Sequence, residues 1–258
     1  MSGKLELYLL GSPEILVDGS PVSEKLPGKA QAILYYLAVT GQAQSRGALA
    51  SLLWGEVPDS AARTNLRKAV SALRRVVREF LNIDRQTVSF RPDGDYWVDV
   101  AVFRDKARAP DIKQKNQAVE LYRGDFLSGF YVLNAPDFET WLLTEQTRLR
   151  ELVVQTLHTL ADYYTEQRDL TRGISIIRKL LVLEPWREEG HRRLMRLLAY
   201  HGQRSAALAQ FESCRQILAD ELGVEPEPET VALYEKIKSG ELANAAEERQ
   251  RTIFSPAP

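Results

Sequence analysis

Residues 59–81 read DSAARTNLRKAVSALRRVVREFL, and the order of apolar and basic side chains in this run decides the fold. Leu66, Val70, Leu73, Val77 and Phe80 recur at helical spacing, so at about 100° per residue they share one face. Asp59 or Ser60 is placed to cap the start, accepting a hydrogen bond from an orphan backbone N–H. The opposite face is basic, with Arg67, Ser71, Arg74 and Arg78 in one row and Thr64, Lys68 and Arg75 beside them. Between residues 61 and 91, eight cations (Arg63, Arg67, Lys68, Arg74, Arg75, Arg78, Arg85, Arg91) stand against Glu79 and Asp84, a local charge of +6 in a chain of net charge -1. A helix packed along one side and cationic along the other fits a DNA major groove. The same pattern describes an ordinary amphipathic helix with a solvated charged face, so its surroundings must decide.

Upstream, residues 4–10 alternate, with Leu5, Leu7 and Leu9 on one side, and predict a strand. Gly11-Ser12-Pro13 turns the chain into a second strand, residues 14–18. Asp18-Gly19 is a hairpin signal, and Pro21-Val22 begins a short third strand. Two helices follow, Lys29 to Thr40, ended by Gly41, and Arg46 to Trp54. The loop Gly55-Glu56-Val57-Pro58 leads into the basic helix. Beyond it, residues 87–90 (TVSF) and 96–100 (YWVDV) flank the turn cluster Arg91-Pro92-Asp93-Gly94-Asp95 and predict a β-hairpin. Three helices with a hairpin after the third describe a winged helix-turn-helix, with Arg91 near the wing tip for a minor-groove or phosphate contact.

The segment LLWGEVPDSAARTNLRKAVSALRRVV (52–77) resembles the OmpR-type DNA-binding domain of Streptomyces antibiotic regulatory proteins. That family opens on a four-stranded sheet, of which residues 4 to 26 show three clear strands. Further on, LYRGDFLSGF (121–130) and Asp137-Phe138-Glu139 with Trp141 resemble the start of a bacterial transcriptional activator domain. Repeats of tetratricopeptide type then appear. If Pro185 closes one unit, Leu157, Leu160, Ala161, Tyr164, Gly173, Ile177 and Leu180 take its packing positions. One repeat later stand His191, Leu194, Met195, Leu198, Ala207, Phe211 and Cys214. The second unit departs from the pattern by reaching its prolines late, at Pro226 and Pro228.

The fold expected is an α+β N-terminal winged helix-turn-helix (1–105), then an all-α tetratricopeptide-like helical repeat domain (106–240), then a mobile tail or linker (241–258). The resemblance implies a transcriptional activator that binds direct repeats in double-stranded DNA as a homodimer or as tandem protomers. The basic face of the helix and the hairpin tip place DNA contacts at Arg63, Thr64, Asn65, Arg67, Lys68, Ser71, Arg74, Arg75, Arg78 and Arg91. The resemblance also implies an RNA polymerase contact in the loop before the basic helix, at Glu56 and Val57 with Trp54. Trp54 has a second reading as a core anchor, which large aromatic side chains mostly are. A helical-repeat adaptor or effector sensor, whose winged domain binds protein, is the alternative function.

Composition narrows the field. With 258 residues, 44% of them hydrophobic and 27% charged, the chain has room for two cores. No apolar run reaches the ~18 residues of a membrane span, and no signal peptide is apparent. One cysteine excludes an internal disulfide framework and fits a reducing cytoplasm, where the resemblance implies association with the nucleoid. Enzyme chemistry finds little footing, and no cofactor is expected. SEKLPGKA (23–30) has Ser23 where a phosphate loop needs glycine and Ala30 where it needs a hydroxyl. His158, His191 and His201 lack zinc-ligand spacing, and Cys214 falls on a packing position, so no metal site is expected. Asp93 and Asp95 are explained by a turn.

Overall fold

The computed structural model describes residues 3–242 and divides at Val153/Val154 into two compact units. The first is built on a four-stranded sheet. β1 (Leu5–Tyr8) pairs antiparallel with β2 (Glu14–Val17), Leu5 opposite Val17, and β2 pairs with β3 (Ser20–Pro21). Asp18 and Gly19 both adopt positive φ, 51° and 74°, as the tight turn between these strands requires. The alternation of β1 puts Leu5 and Leu7 in the core.

Three helices follow. α1 (Gly28–Thr40) stops where Gly41 turns left-handed at φ 64° and returns its N–H to the Leu37 carbonyl. α2 (Arg46–Trp54) begins with the Ser45 hydroxyl accepting from the Ala48 N–H at 3.0 Å. α3 (Asp59–Val77) buries Leu66, Val70, Leu73 and Val77 as their spacing predicts. Its cap differs from expectation. Pro58 is the boundary residue, its carbonyl accepting from Ala61 and Ala62, and no side chain caps this end. Asp59 is therefore already helical, one position too late to cap, and lies 3.6 Å from Arg63. The periodic run also ends early, since Arg78–Phe80 form a 3-10 turn that carries Phe80 into the core.

The expected hairpin of residues 87–100 does not form. β5 (Leu81–Ile83) pairs with β6 (Thr87–Phe90), and β6 also pairs with β4 (Gln44–Ser45), giving a three-stranded sheet in the order β4-β6-β5. The hairpin turn is Asp84-Arg85-Gln86. Asp84 closes it by accepting from the Gln86 and Thr87 N–H groups at 2.7 and 2.6 Å and from the Thr87 hydroxyl at 2.8 Å. These bonds hold its carboxyl below the usual range. β7 (Tyr96–Val98) joins the first sheet instead, parallel to β1, in the order β3-β2-β1-β7. It supplies the fourth strand that residues 4–26 lack.

Asp99 and Val100, read as the end of that strand, open α4 (Asp99–Arg108). Asp99 is buried, its carboxylate accepting from the Leu9 N–H at 2.8 Å and the Leu10 N–H at 2.9 Å, so it ties α4 to the end of β1. Burial pushes its carboxyl up, against the opposing pull of those N–H groups and of Arg123. α5 (Ile112–Leu121) starts from Asp111, which accepts from the Gln114 N–H. The following segment returns to the first sheet, Leu127 donating to the Leu9 carbonyl at 2.8 Å. Phe130 packs edge-on to Tyr35, and Trp141 meets Tyr36, Phe126 and Phe138 at ring distances of 4.9 to 5.8 Å. The motifs at 121–130 and 137–141 are thus aromatic packing of this unit. The pattern change at residue 105 and the packing division at residue 153 are different boundaries, and the second falls inside α6 (Pro136–Glu166).

The second unit contains the end of α6, then α7 (Leu170–Leu183), α8 (Glu188–Tyr200), α9 (Arg204–Leu222) and α10 (Pro228–Ser239). All fourteen repeat positions named above are buried. Gly173 lies where the helices approach closely, since a Cβ there would stand 3.1 Å from a Leu197 methyl and press on it. Gly223, at φ 67°, ends α9. Glu188 on α8 holds α10 by accepting from the Thr230 hydroxyl at 2.6 Å and the Glu227 N–H at 2.9 Å. Residues 241 and 242 close the described chain, and the rest of the expected tail lies outside the described residues. Among the described residues no helix is long and apolar enough to cross a membrane.

Candidate nucleic-acid interface

α3 separates its two chemistries cleanly. Ala62, Leu66, Ala69, Val70, Ala72, Leu73 and Val77 are buried, while Arg63, Thr64, Arg67, Lys68, Ser71, Arg74 and Arg75 are exposed. Asn65 is half-buried at the edge of the exposed face, and Arg78 stands exposed on the 3-10 turn rather than on the helix. Small residues at 62, 69 and 72 let α3 lie close against its neighbours, so long cationic side chains project on one side only.

The cations are not equivalent. Arg63 shares an exposed i,i+4 pair with Asp59, an interaction worth little in water. Arg74 donates to the Ile83 carbonyl at 3.2 Å, tying β5 to α3 with part of its guanidinium. Arg67, Lys68, Arg75 and Arg78 form no ion pair among the described residues. Thr64 turns its hydroxyl back to the Ser60 carbonyl at 2.9 Å.

The hairpin shift changes which cation lies at the turn. Arg91 lies at the base of the β5–β6 hairpin, where its Nε donates to the Leu81 carbonyl at 3.2 Å and its N–H to the Phe80 carbonyl. The exposed cation at the turn is Arg85. Sequence reading missed it, although Asp84 followed by a β-branched strand was the turn signal available. Arg46 also joins the hairpin, its Nε donating to the Asp84 carbonyl at 3.1 Å.

In the loop before α3, Gly55, Glu56, Val57 and Pro58 are exposed. Trp54 is not part of that surface. It is buried beneath Lys29, whose ammonium lies 5.0 Å from the ring centroid and donates to the Asn134 carbonyl at 3.1 Å. Burial pulls the Lys29 ammonium down. The core reading of Trp54 describes what this side chain does. Cys214 is equally enclosed, burial pushing its thiol up to about 12, far from a nucleophile's range.

The bacterial transcriptional activator domain matches residues 98–238. Regulatory protein AfsR of Streptomyces coelicolor is 28% identical over 99% of this chain, which spans 27% of that protein's length. The transcriptional regulatory protein MoaR1 of Mycobacterium tuberculosis is 24% identical, covering 92% of this chain and 80% of its own. The transcriptional regulatory protein EmbR of Mycobacterium tuberculosis is 26% identical, over 91% of this chain and 63% of its own. A solved structure of Mycobacterium tuberculosis EmbR in complex with a low affinity phosphopeptide shares the fold, with a TM-score of 0.63 at 24% identity over 98% of this chain and 71% of that one. With its matching segment covering more than half its length, the chain belongs to the bacterial transcriptional activator domain family, among regulators of the Streptomyces antibiotic regulatory protein type.

Proposed function

We propose that the protein is a sequence-specific DNA-binding transcriptional activator. Its first unit acts as a winged helix-turn-helix, with α2 as the positioning helix, α3 as the recognition helix and the β5–β6 hairpin as the wing. Its second unit acts as a tetratricopeptide-like repeat domain. The observation that carries the reading is the division of α3, whose buried stripe fixes its orientation while Arg67, Lys68, Ser71 and Arg75 remain exposed side by side. Arg67 and Arg74 are the candidates for guanine edges, and Arg75, Arg78 and Arg85 for phosphates. Tandem protomers on direct repeats follow from the family resemblance.

The adaptor reading makes the same α3 face a protein contact. Salt separates the two, because each neutralised phosphate releases counterions and gives duplex binding a steep dependence on ionic strength. Footprinting on genomic DNA at two salt concentrations is the test. A protected repeat lost at high salt supports the proposal, and no protected site at low salt removes it.

Recruitment of RNA polymerase is assigned to Glu56 and Val57. An exposed carboxylate repels phosphate, so this loop is a poor DNA contact and a fitting protein contact. Glu56→Lys is expected to keep or raise promoter affinity while lowering activated transcript. Parallel loss of binding and transcript would reduce the loop to a spacer between α2 and α3.

A further inference from the structure

α7 carries two stripes. One, with Gly173, Ile176, Ile177 and Leu180, is buried. The other places Thr171, Ile174, Ser175, Arg178 and Lys179 at i, i+3, i+4, i+7 and i+8, a second helical face. With His201 and Gln203 from the turn between α8 and α9, these residues line a cleft of about 480 Å³. Small-molecule sites occupy about 300–1,000 Å³.

The lining of the cleft is cationic, with two adjacent cations on α7. In the same unit Arg172, Arg187, Arg192, Arg193, Arg215 and Lys238 each have a carboxylate partner, while Arg168, Arg196, Arg204 and Lys236 form no ion pair among the described residues. Arg178 and Lys179 have none among the described residues, and no carboxylate lines the cleft. A concave wall of one sign, backed by a packed interior, concentrates anions. Ile174 is only 6% exposed and gives the cleft an apolar floor. His201 is held across the mouth, its Nε2 3.3 Å from the Thr171 hydroxyl and its Nδ1 3.3 Å from the Gln203 amide.

We propose that this cleft binds a phosphate-bearing small molecule, which goes beyond the DNA-binding reading and does not depend on it. Arg178 and Lys179 take the phosphoryl group, the Thr171 and Ser175 hydroxyls donate to its oxygens, and Ile174 underlies the apolar part of the ligand. Phosphate fits better than a single carboxylate because a phosphomonoester carries about −1.5 to −2 charges at neutral pH, matching two adjacent cations. The lining stretch of α7 is only about 12 Å long at ~1.5 Å rise per residue, a length suited to a metabolite.

Inorganic pyrophosphate is the probe, titrated into the full chain by calorimetry with phosphorus NMR in parallel. The α3 face is also cationic, so two double variants are compared: Arg178→Ala with Lys179→Ala, and Arg67→Ala with Lys68→Ala. Saturable binding that weakens about tenfold or more in the α7 variant and is unchanged in the α3 variant supports the proposal. All four side chains are exposed, and melting by circular dichroism checks that both variants remain folded. The proposal is overturned by the absence of saturable binding at millimolar pyrophosphate, by binding that the α7 variant retains, or by an oligoglutamate peptide that displaces pyrophosphate from the cleft.

Discussion

Neighbouring residues on α3 have opposite assignments. Leu73 is fully buried, and its truncation leaves a cavity that packed surroundings cannot fill. Leu73→Ala is expected to cost ~2–5 kcal/mol of stability and to lower DNA binding only through unfolding. Arg67 is exposed and unpaired, so Arg67→Ala is expected to leave the melting temperature unchanged and weaken specific binding by ~1–3 kcal/mol. Melting and binding curves on both variants check the pair, and an Arg67→Ala protein that binds as the parent does removes Arg67 from the groove. His191 makes a different case. Its Nε2 donates to the Pro185 carbonyl at 2.8 Å and its Nδ1 accepts from Gln210 at 2.7 Å, an arrangement of the neutral ring. Burial holds its pKa below 6.5, so the unfolded chain binds a proton that the folded chain refuses. Its contribution is therefore present above pH 6.5 and declines as pH falls below it, by at most about 1.4 kcal/mol per pH unit. His191→Gln is expected to flatten the decline of the melting temperature between neutral pH and the mid-fives, and an unchanged slope would assign the acid sensitivity elsewhere.

At the scale of elements, the hairpin gives the sharpest contrast between local signal and partner choice. Arg85→Ala is expected to weaken binding about equally across sequences and to lower the salt slope by about one, as a lost phosphate contact does. Arg91→Ala, at the hairpin base, is expected to leave that slope unchanged. Salt titrations on one promoter duplex check both, and the reverse outcome would return the wing contact to Arg91. The difference has a physical cause. Tyr96-Trp97-Val98 has the β-branched and aromatic composition of a strand, and it is one. Propensity says nothing about which neighbour supplies the hydrogen bonds, and a turn cluster at 91–95 serves a crossover to another sheet as well as a hairpin. The Leu5 N–H bonded to the Asp95 carbonyl at 3.0 Å shows where the chain was going. Helices were legible because their period is internal to the segment: α1 and α2 fall within a residue of expectation, and every repeat position is buried. The start of α3 was less so, since Asp59 and Ser60 both suit a cap by residue type and only backbone geometry puts the boundary at Pro58. Of the candidate site, the exposed row of α3 was readable from period alone. The engagement of Arg74 with Ile83 depends on where β5 returns, and no local pattern encodes that.

At the scale of the whole molecule, charge placement connects the fold to assembly. A chain of net charge -1 is not drawn to DNA as a whole, so on the proposed function its attraction acts through the local +6 of residues 61–91. If the first unit is the winged helix proposed above, one protomer offers the duplex only a small basic face, and a single module of that size buries little surface for finding one promoter among many sites. Two protomers in tandem on direct repeats double the phosphate contacts and multiply sequence discrimination. Both recognition helices then meet the same side of the duplex only when half-sites are spaced by about one helical turn, 10–11 base pairs. Inserting about five base pairs, half a turn, rotates the second half-site to the far side. Cooperative binding is expected to vanish on that duplex while affinity for an isolated half-site stays the same. Inserting a full turn is expected to restore part of it, because the facing is recovered and only the separation has grown. Gel-shift titrations on the three duplexes read both quantities together, and cooperativity indifferent to the half-turn insertion would rule out tandem protomers touching across adjacent sites.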